Sequence, residues 1–249
     1  AKLLIAERKW KRPFFIEIPT TAGSGSEATP FAVAYENKKK ISVEAPELRP
    51  DIAILNPVLT VSLSPLQKAQ SGIDAYVQAI ESLWNIHATN ESRVFAGEAL
   101  ELVQKNLLPF IEGNRDAAKQ MLWGSYLGGS AIATTRTTGC HALSYYLTAQ
   151  HDVPHGQAVA LFLPLFFLYN QHQIPDIIYK KTGAENALEA FERTKSFLKQ
   201  CGLATDFASL NIEVDVDALL DSVNEQRFAN NPVSFDRNLL KQLIVEHLL

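Results

Sequence analysis

The stretch SGIDAYVQAIES, residues 71–82, decides how the larger part of this chain is read. On a helix, Asp74 and Gln78 lie four apart and share one face, as do Gln78 and Glu81 three apart. The surrounding segment SPLQKAQSGIDAYVQAIESLW supplies a helix start, with Ser64 as the N-cap and Pro65 at the first helical position. Glu81 is expected to pack against or cap that helix face.

Downstream the helical pattern continues. NESRVFAGEALELVQKNLLPFI carries Val94, Phe95, Ala99, Leu102 and Val103 at three-to-four spacing. Further helices are predicted through AAKQMLWGSYLGGSAIATT, CHALSYYLTA, GQAVALFLPLFFLYN, NALEAFERTKSFLKQCG, DVDALLDSVNEQRFA and DRNLLKQLIVEHLL, with Gly202 as a C-terminal stop. Upstream of Pro65 the character differs. FFIEIPT, FAVAYEN, ISVEA and DIAILNP read as four short strands separated by polar turns. Four short strands make a poor domain of their own, so residues 1–64 are expected to be the C-terminal part of an α/β domain. Residues 65–249 are expected to form an all-helical domain. The chain begins with Ala rather than Met, and the expectation is that βα units upstream are missing.

The 249 residues suffice for one large core or two smaller ones. At 47% hydrophobic and 20% charged, with a net charge of −4, the composition is that of an ordinary globular protein. Lys and Arg are dispersed apart from Lys38-Lys39-Lys40, which argues against a nucleic-acid partner. Cys140 and Cys201 form no CxxC pattern, so a reducing, cytoplasmic setting is the default. The longest apolar run, residues 158–170, is too short for a membrane span and contains Pro164.

Four residues from three segments are candidate metal ligands: Asp74, Gln78, His141 in TTGCHALSY, and His155 in VPHGQAVALFLP. A carboxylate oxygen and two imidazole nitrogens suit Zn²⁺ or Fe²⁺ with a position left open; the Gln78 amide would be a weaker donor. Histidines beside apolar residues are also ordinary hydrogen-bonded core, and spacing alone leaves both readings open. Tyr145, four residues after His141, is a candidate proton relay or a plain buried tyrosine. His87 and His151 are surface residues or spare ligands, and Arg136 is a helix-end charge or a site for an anionic group. The loop PTTAGSGSEAT, residues 19–29, either offers N–H groups and hydroxyls to a phosphate or simply connects two strands.

Taken in order, these motifs resemble the iron-containing (group III) alcohol dehydrogenase family. IPTTAGSGSEAT is similar to its TTxGTGSE loop, RPDIAILNP to its PxxAIxDP strand, and SGIDAYVQAIES to its G-x-DAxxHAIE helix. TTGCHALSY and VPHGQAVALFLP resemble its two histidine-bearing segments, and NNPVSF lies near a family-like end. The resemblance implies a dehydroquinate synthase-like fold, with an α/β nucleotide-binding domain followed by an all-helical metal domain. It implies NAD- or NADP-linked interconversion of small aldehydes and alcohols. A homodimer in the cytoplasm is the expected state, since dimers are the commonest assemblies.

Carried over by position, the metal ligands are Asp74, Gln78, His141 and His155. The cofactor would meet Thr20, Thr21, Gly23, Ser24, Gly25, Ser26, Lys40 and Thr60, and Tyr145 and Lys40 would be catalytic. Gln78 stands where the family has His, which implies a weakly held Fe²⁺ or Zn²⁺. Asn56 replaces Asp, Tyr145 replaces a frequent second His, and the Gly-rich phosphate loop of the first βα units is absent; the missing segment is expected to add on the order of 100 residues. ESLWN and TRTTGCHALSYYLT are most similar to the branch that includes phosphonoacetaldehyde reductases, where Arg136 would meet an anionic substrate. The related dehydroquinate synthase-like sugar cyclases, and a helical scaffold without catalysis, are the alternatives.

Overall fold

A computed structural model describes residues 2–6, 12–36 and 39–249; the side chains of residues 4, 6, 35, 36, 39 and 40 lie outside that description. A short helix α1 (Lys2–Ala6) precedes four strands: β1 (Ile16–Glu17), β2 (Phe31–Glu36), β3 (Lys39–Glu44) and β4 (Ile52–Ala53). They form two small sheets. β1 and β4 pair in parallel, Ile16 opposite Ile52, and β2 and β3 form an antiparallel hairpin with Phe31 opposite Glu44. All four expected strands are present, though β1 and β4 are only two residues each.

From Pro65 the chain is helical: α2 (Pro65–Trp84), α3 (Asn90–Ile111), α4 (Arg115–Thr135), α5 (Gly139–His151), α6 (His155–Tyr169), α7 (Asp176–Thr182), α8 (Ala187–Gln200), α9 (Val216–Asp221), α10 (Glu225–Phe228) and α11 (Arg237–His247). Helix α2 starts where its caps dictate. The Ser64 hydroxyl accepts from the Gln67 N–H at 3.2 Å, the Gln67 side chain accepts from the Ser64 N–H at 3.0 Å, and Pro65 needs no donor there.

Helix α2 is the axle of the helical part. It packs against α3, α4 and α6, and every residue from Gly72 to Trp84 is buried. A helix buried on all sides must satisfy or exploit its polar groups internally. Asp74, Gln78, Glu81 and Ser82 are therefore the residues to explain. Helix α6 is buried from Gly156 to Phe167, in keeping with its apolar sequence and not with a membrane span. No helix among the described residues is long and apolar enough to cross a membrane.

The loop after β1 is drawn onto this bundle by backbone contact. Gly25 adopts a left-handed φ of 57°, and a Cβ there would meet the Ser125 carbonyl oxygen at 2.5 Å and the Gly129 Cα at 2.6 Å. Glycine is required both for the conformation and for the approach. The loop is thereby seated on α4 beside the polar residues of α2.

Candidate metal centre and substrate cleft

Three helices each deliver one candidate metal ligand to the same point. Asp74 sits in the middle of α2, His141 in the first turn of α5, and His155 at the first residue of α6. The two histidines are placed by tight connections. Arg136 ends α4 at φ 61°, and the Thr135 and Thr137 carbonyls accept from Asn85 (2.9 Å) and Asn230 (3.1 Å). Asp152, at φ 54°, reverses the chain between α5 and α6.

The Asp74 carboxylate lies 3.2 Å from His141 Nε2 and 3.9 Å from His155 Nε2, and the two imidazole rings are 5.3 Å apart between centroids. One ligand atom from each residue falls within 4.8 Å of the others. Among the described residues this is the set of His, Cys, Asp and Glu side chains grouped closely enough to hold a metal ion.

Glu81 was expected to pack or cap a helix face; instead it is fully buried behind His141. One of its oxygens bonds His141 Nδ1. The other accepts from the Thr138 hydroxyl at 2.8 Å and the Cys140 N–H at 2.9 Å, while the Trp84 indole N–H donates to the same hydroxyl at 3.0 Å. A carboxylate on the far nitrogen fixes the tautomer and angle of an imidazole and raises its basicity as a ligand. Burial alone would lower the His141 pKa, but the Glu81 charge, aided by Asp74, outweighs it and pushes the value up to about 9. Burial likewise opposes the ionised forms of Asp74 and Glu81, yet the His141 imidazolium holds both carboxyls below their ordinary range.

Gln78 is buried beside the cluster. Its Nε2 donates to the Ser24 carbonyl at 3.4 Å, and its side chain helps hold the Asp74 carboxyl down. Its Oε1 is buried without a hydrogen-bond partner among the described residues. An orphaned amide oxygen next to a carboxylate and two imidazoles is the donor chemistry a divalent metal would complete. The residues present therefore fit such an ion.

The cluster opens into a cleft of about 720 Å³ whose walls include Ser24, Ser26, Ile132, Thr137, Tyr145 and Arg227. The Tyr145 ring stacks over His155 at 6.2 Å and 12°. Of the residues expected at a cofactor, Ser24 and Ser26 line this cleft. Gly23 and Gly25 are buried against helix backbone, and Thr20 and Thr21 are exposed outside the cleft walls. Thr60 is buried and bonds the Pro57 carbonyl at 2.8 Å, so it too stands away from the cleft. Lys40 belongs to β3, and its side chain lies outside the described residues.

His87 is exposed, and His151 packs on Tyr146; neither joins the metal cluster as a spare ligand. Of the two readings of Arg136, the helix-end charge is the one that matches its place at the end of α4. It pairs with Glu44 at 2.6 Å and is absent from the cleft walls. Glu81 and Arg227 are the site residues that sequence reasoning did not find. Glu81 carries a signal in being a charged residue on an otherwise buried helix; Arg227 carries none.

The family model described as Fe-containing alcohol dehydrogenase family, C-terminal, matches residues 68–248. A second, iron-containing alcohol dehydrogenase, matches residues 3–57. The chain belongs to the iron-containing alcohol dehydrogenase family. It is 31% identical to the phosphonoacetaldehyde reductase of Streptomyces viridochromogenes, over 93% of this chain and 63% of that protein. The sulfoacetaldehyde reductase of Bifidobacterium kashiwanohense, solved in complex with NAD⁺, superposes with a TM-score of 0.85 at 28% identity, over 93% of this chain and 64% of that one. An iron-containing alcohol dehydrogenase from Thermotoga maritima gives 0.80 at 30% identity, over 93% and 62%. The chain thus spans less than two thirds of the length of each of these family members.

Proposed function

We propose that this chain is the metal- and substrate-binding part of an NAD(P)-dependent alcohol dehydrogenase that works as a reductase of small, anionic aldehydes. The observation that carries the proposal is the convergence of Asp74, His141 and His155 from three helices at the end of one cleft, with Glu81 set behind His141. The similarity to reductases named for phosphonoacetaldehyde and sulfoacetaldehyde supports the substrate class. It also favours the dehydrogenase over a dehydroquinate synthase-like cyclase or a scaffold.

In this reading residues 1–64 belong to the nucleotide-binding part and residues 65–249 to the metal part, a division close to the limits of the two family matches. Asp74, His141, His155 and the Gln78 amide oxygen would hold Fe²⁺ or Zn²⁺. The metal would supply Lewis acidity for a carbonyl oxygen, and a nicotinamide dinucleotide would supply the hydride. The chain's own residues do the rest. Glu81 holds the His141 ring in its ligating orientation. Tyr145, stacked on His155 at the cleft wall, exchanges a proton with the substrate oxygen. Ser24 and Ser26 border the cofactor side. Lys40 is proposed near the nicotinamide; a cytoplasmic setting is proposed, in line with the two free, buried cysteines, and a homodimer on the general frequency of dimers.

The test is direct. Protein expressed from the full coding sequence, loaded with Fe²⁺ or Zn²⁺, is expected to oxidise NADH or NADPH with at least one of a panel of short aldehydes. No turnover across the panel, with metal content verified, would overturn the proposal.

A further inference from the structure

The cleft carries a charge that the metal cluster does not use. Four cationic or potentially cationic side chains line it: Lys2, His141, His155 and Arg227. Lys2 is spent on the Ser26 and Thr29 carbonyls and on Glu17, 3.6 Å away. His141 is held between Asp74 and Glu81, and His155 faces Asp74. Among the described residues, no carboxylate lies within ion-pair distance of the Arg227 guanidinium and no hydrogen bond engages it. A half-buried guanidinium at a cleft wall with no counter-charge beside it is open to an anionic ligand.

The backbone beneath Arg227 is firmly held. The Arg227 N–H donates to the Asn224 side chain at 2.9 Å. The next residue, Phe228, is fully buried against Phe166, Tyr169 and Phe235. Asn230 bonds the Thr137 carbonyl at 3.1 Å and so ties this segment to the connection that presents His141. Arg227 is therefore carried on a fixed base in the same frame as the candidate metal ligands, at the wall of their cleft. Such preorganisation reduces the ordering cost of binding.

Resting on the proposed reductase activity, we infer that Arg227 selects the substrate: it receives the anionic head group of a short aldehyde whose carbonyl lies at the Asp74–His141–His155 cluster. A planar fork of N–H donors matches two oxygens of a phosphonate, sulfonate or carboxylate, and it stays charged throughout the working pH range. The head group takes no part in the chemistry; it anchors the substrate so that its other end meets the cluster. Arg136, already paired with Glu44, is not needed for this role.

The competing occupant is a phosphate of the dinucleotide, and the experiment separates the two. Arg227→Gln and Arg227→Lys are prepared in protein from the full coding sequence. Phosphonoacetate binding is followed by calorimetry, with and without metal. Steady-state rates are measured with phosphonoacetaldehyde and propanal. The expected result is loss of phosphonoacetate binding in Arg227→Gln with partial recovery in Arg227→Lys. The preference for phosphonoacetaldehyde over propanal, as a ratio of kcat/KM, should fall roughly thirtyfold, the scale of a charge-assisted bidentate contact. An unchanged ratio, undiminished phosphonoacetate binding in Arg227→Gln, or a wild type that binds no phosphonoacetate would each overturn the inference. So would an effect confined to the KM for NAD(P)H, which would assign Arg227 to the cofactor. If no aldehyde is turned over at all, the reductase reading fails, while the calorimetry still decides whether Arg227 is an anion site.

Discussion

At the scale of single residues, His141 concentrates the physics of the site. It is bracketed by Asp74 and Glu81, almost wholly removed from water, and its pKa is pushed up to about 9. A folded-state value above the ordinary 6.5 means that the protonated ring stabilises the fold. In metal-free protein that contribution is fully present below about pH 6.5 and is lost as pH rises through about 9, at most about 3 kcal/mol. Urea melts of chelator-treated protein should lose stability between pH 6 and 9, and His141→Gln should flatten that loss; an equal slope in both proteins would be the contrary result. Gln78 invites the opposite kind of change. Restoring imidazole there, Gln78→His, should raise the metal retained after dialysis, and unchanged retention would show that the side chain points away from the ion. Asp74, Gln78, His141 and His155 were all visible in the sequence because each sits in a motif. The role of Glu81 was not, since its bond to His141 spans 60 residues of chain and depends on how α5 meets α2.

At the scale of elements, the caps and apolar periodicity of the helices made α2, α3 and α6 legible. Pro65, Ser64 and the all-apolar run of α6 each have a local physical reason to be where they are. The connections were less legible, and they aim the ligands. The placement of His155 depends on the first turn of α6 lying almost in contact with α2. A Cβ on Gly156 would stand 1.7 Å from the Gln70 carbonyl oxygen, a backbone atom that can yield only if a helix moves. Gly156→Ala is therefore expected to destabilise the protein by about 3 kcal/mol and to weaken metal binding together, as overpacking shifts α6. Thermal melts and metal content measured on the same preparation check this; a stable variant with full metal would show that the close approach is not what holds His155. The loop of residues 19–29 shows a similar limit. Its Gly, Ser and Thr content reads as a phosphate cradle, but Gly25 is consumed by its approach to α4, and only Ser24 and Ser26 of the expected set reach the cleft. Sequence composition does not distinguish a glycine that admits a ligand from one that admits a neighbouring helix.

At the scale of the whole molecule, the order of motifs was enough to place the chain in its family, and the fold follows that expectation: short strands first, then a helical bundle around α2. What no linear motif disclosed was the charge balance of the cleft. Arg136 lies close to the histidine motif in sequence but is tied to Glu44 at the edge of β3. Arg227, far along the chain, lines the cluster's cleft together with Lys2. Cations and carboxylates find their partners through the packed shape, so their neutralisation cannot be read residue by residue. The central claim, that Asp74, His141 and His155 hold one divalent ion, is tested most directly by metal analysis. Protein from the full coding sequence is stripped, reloaded with Zn²⁺ or Fe²⁺, dialysed and analysed beside Asp74→Ala and His155→Ala. One ion per chain in the wild type, falling at least tenfold in both variants, is the expected result. A wild type that takes up no stoichiometric metal, or variants that retain as much as the wild type, would contradict it.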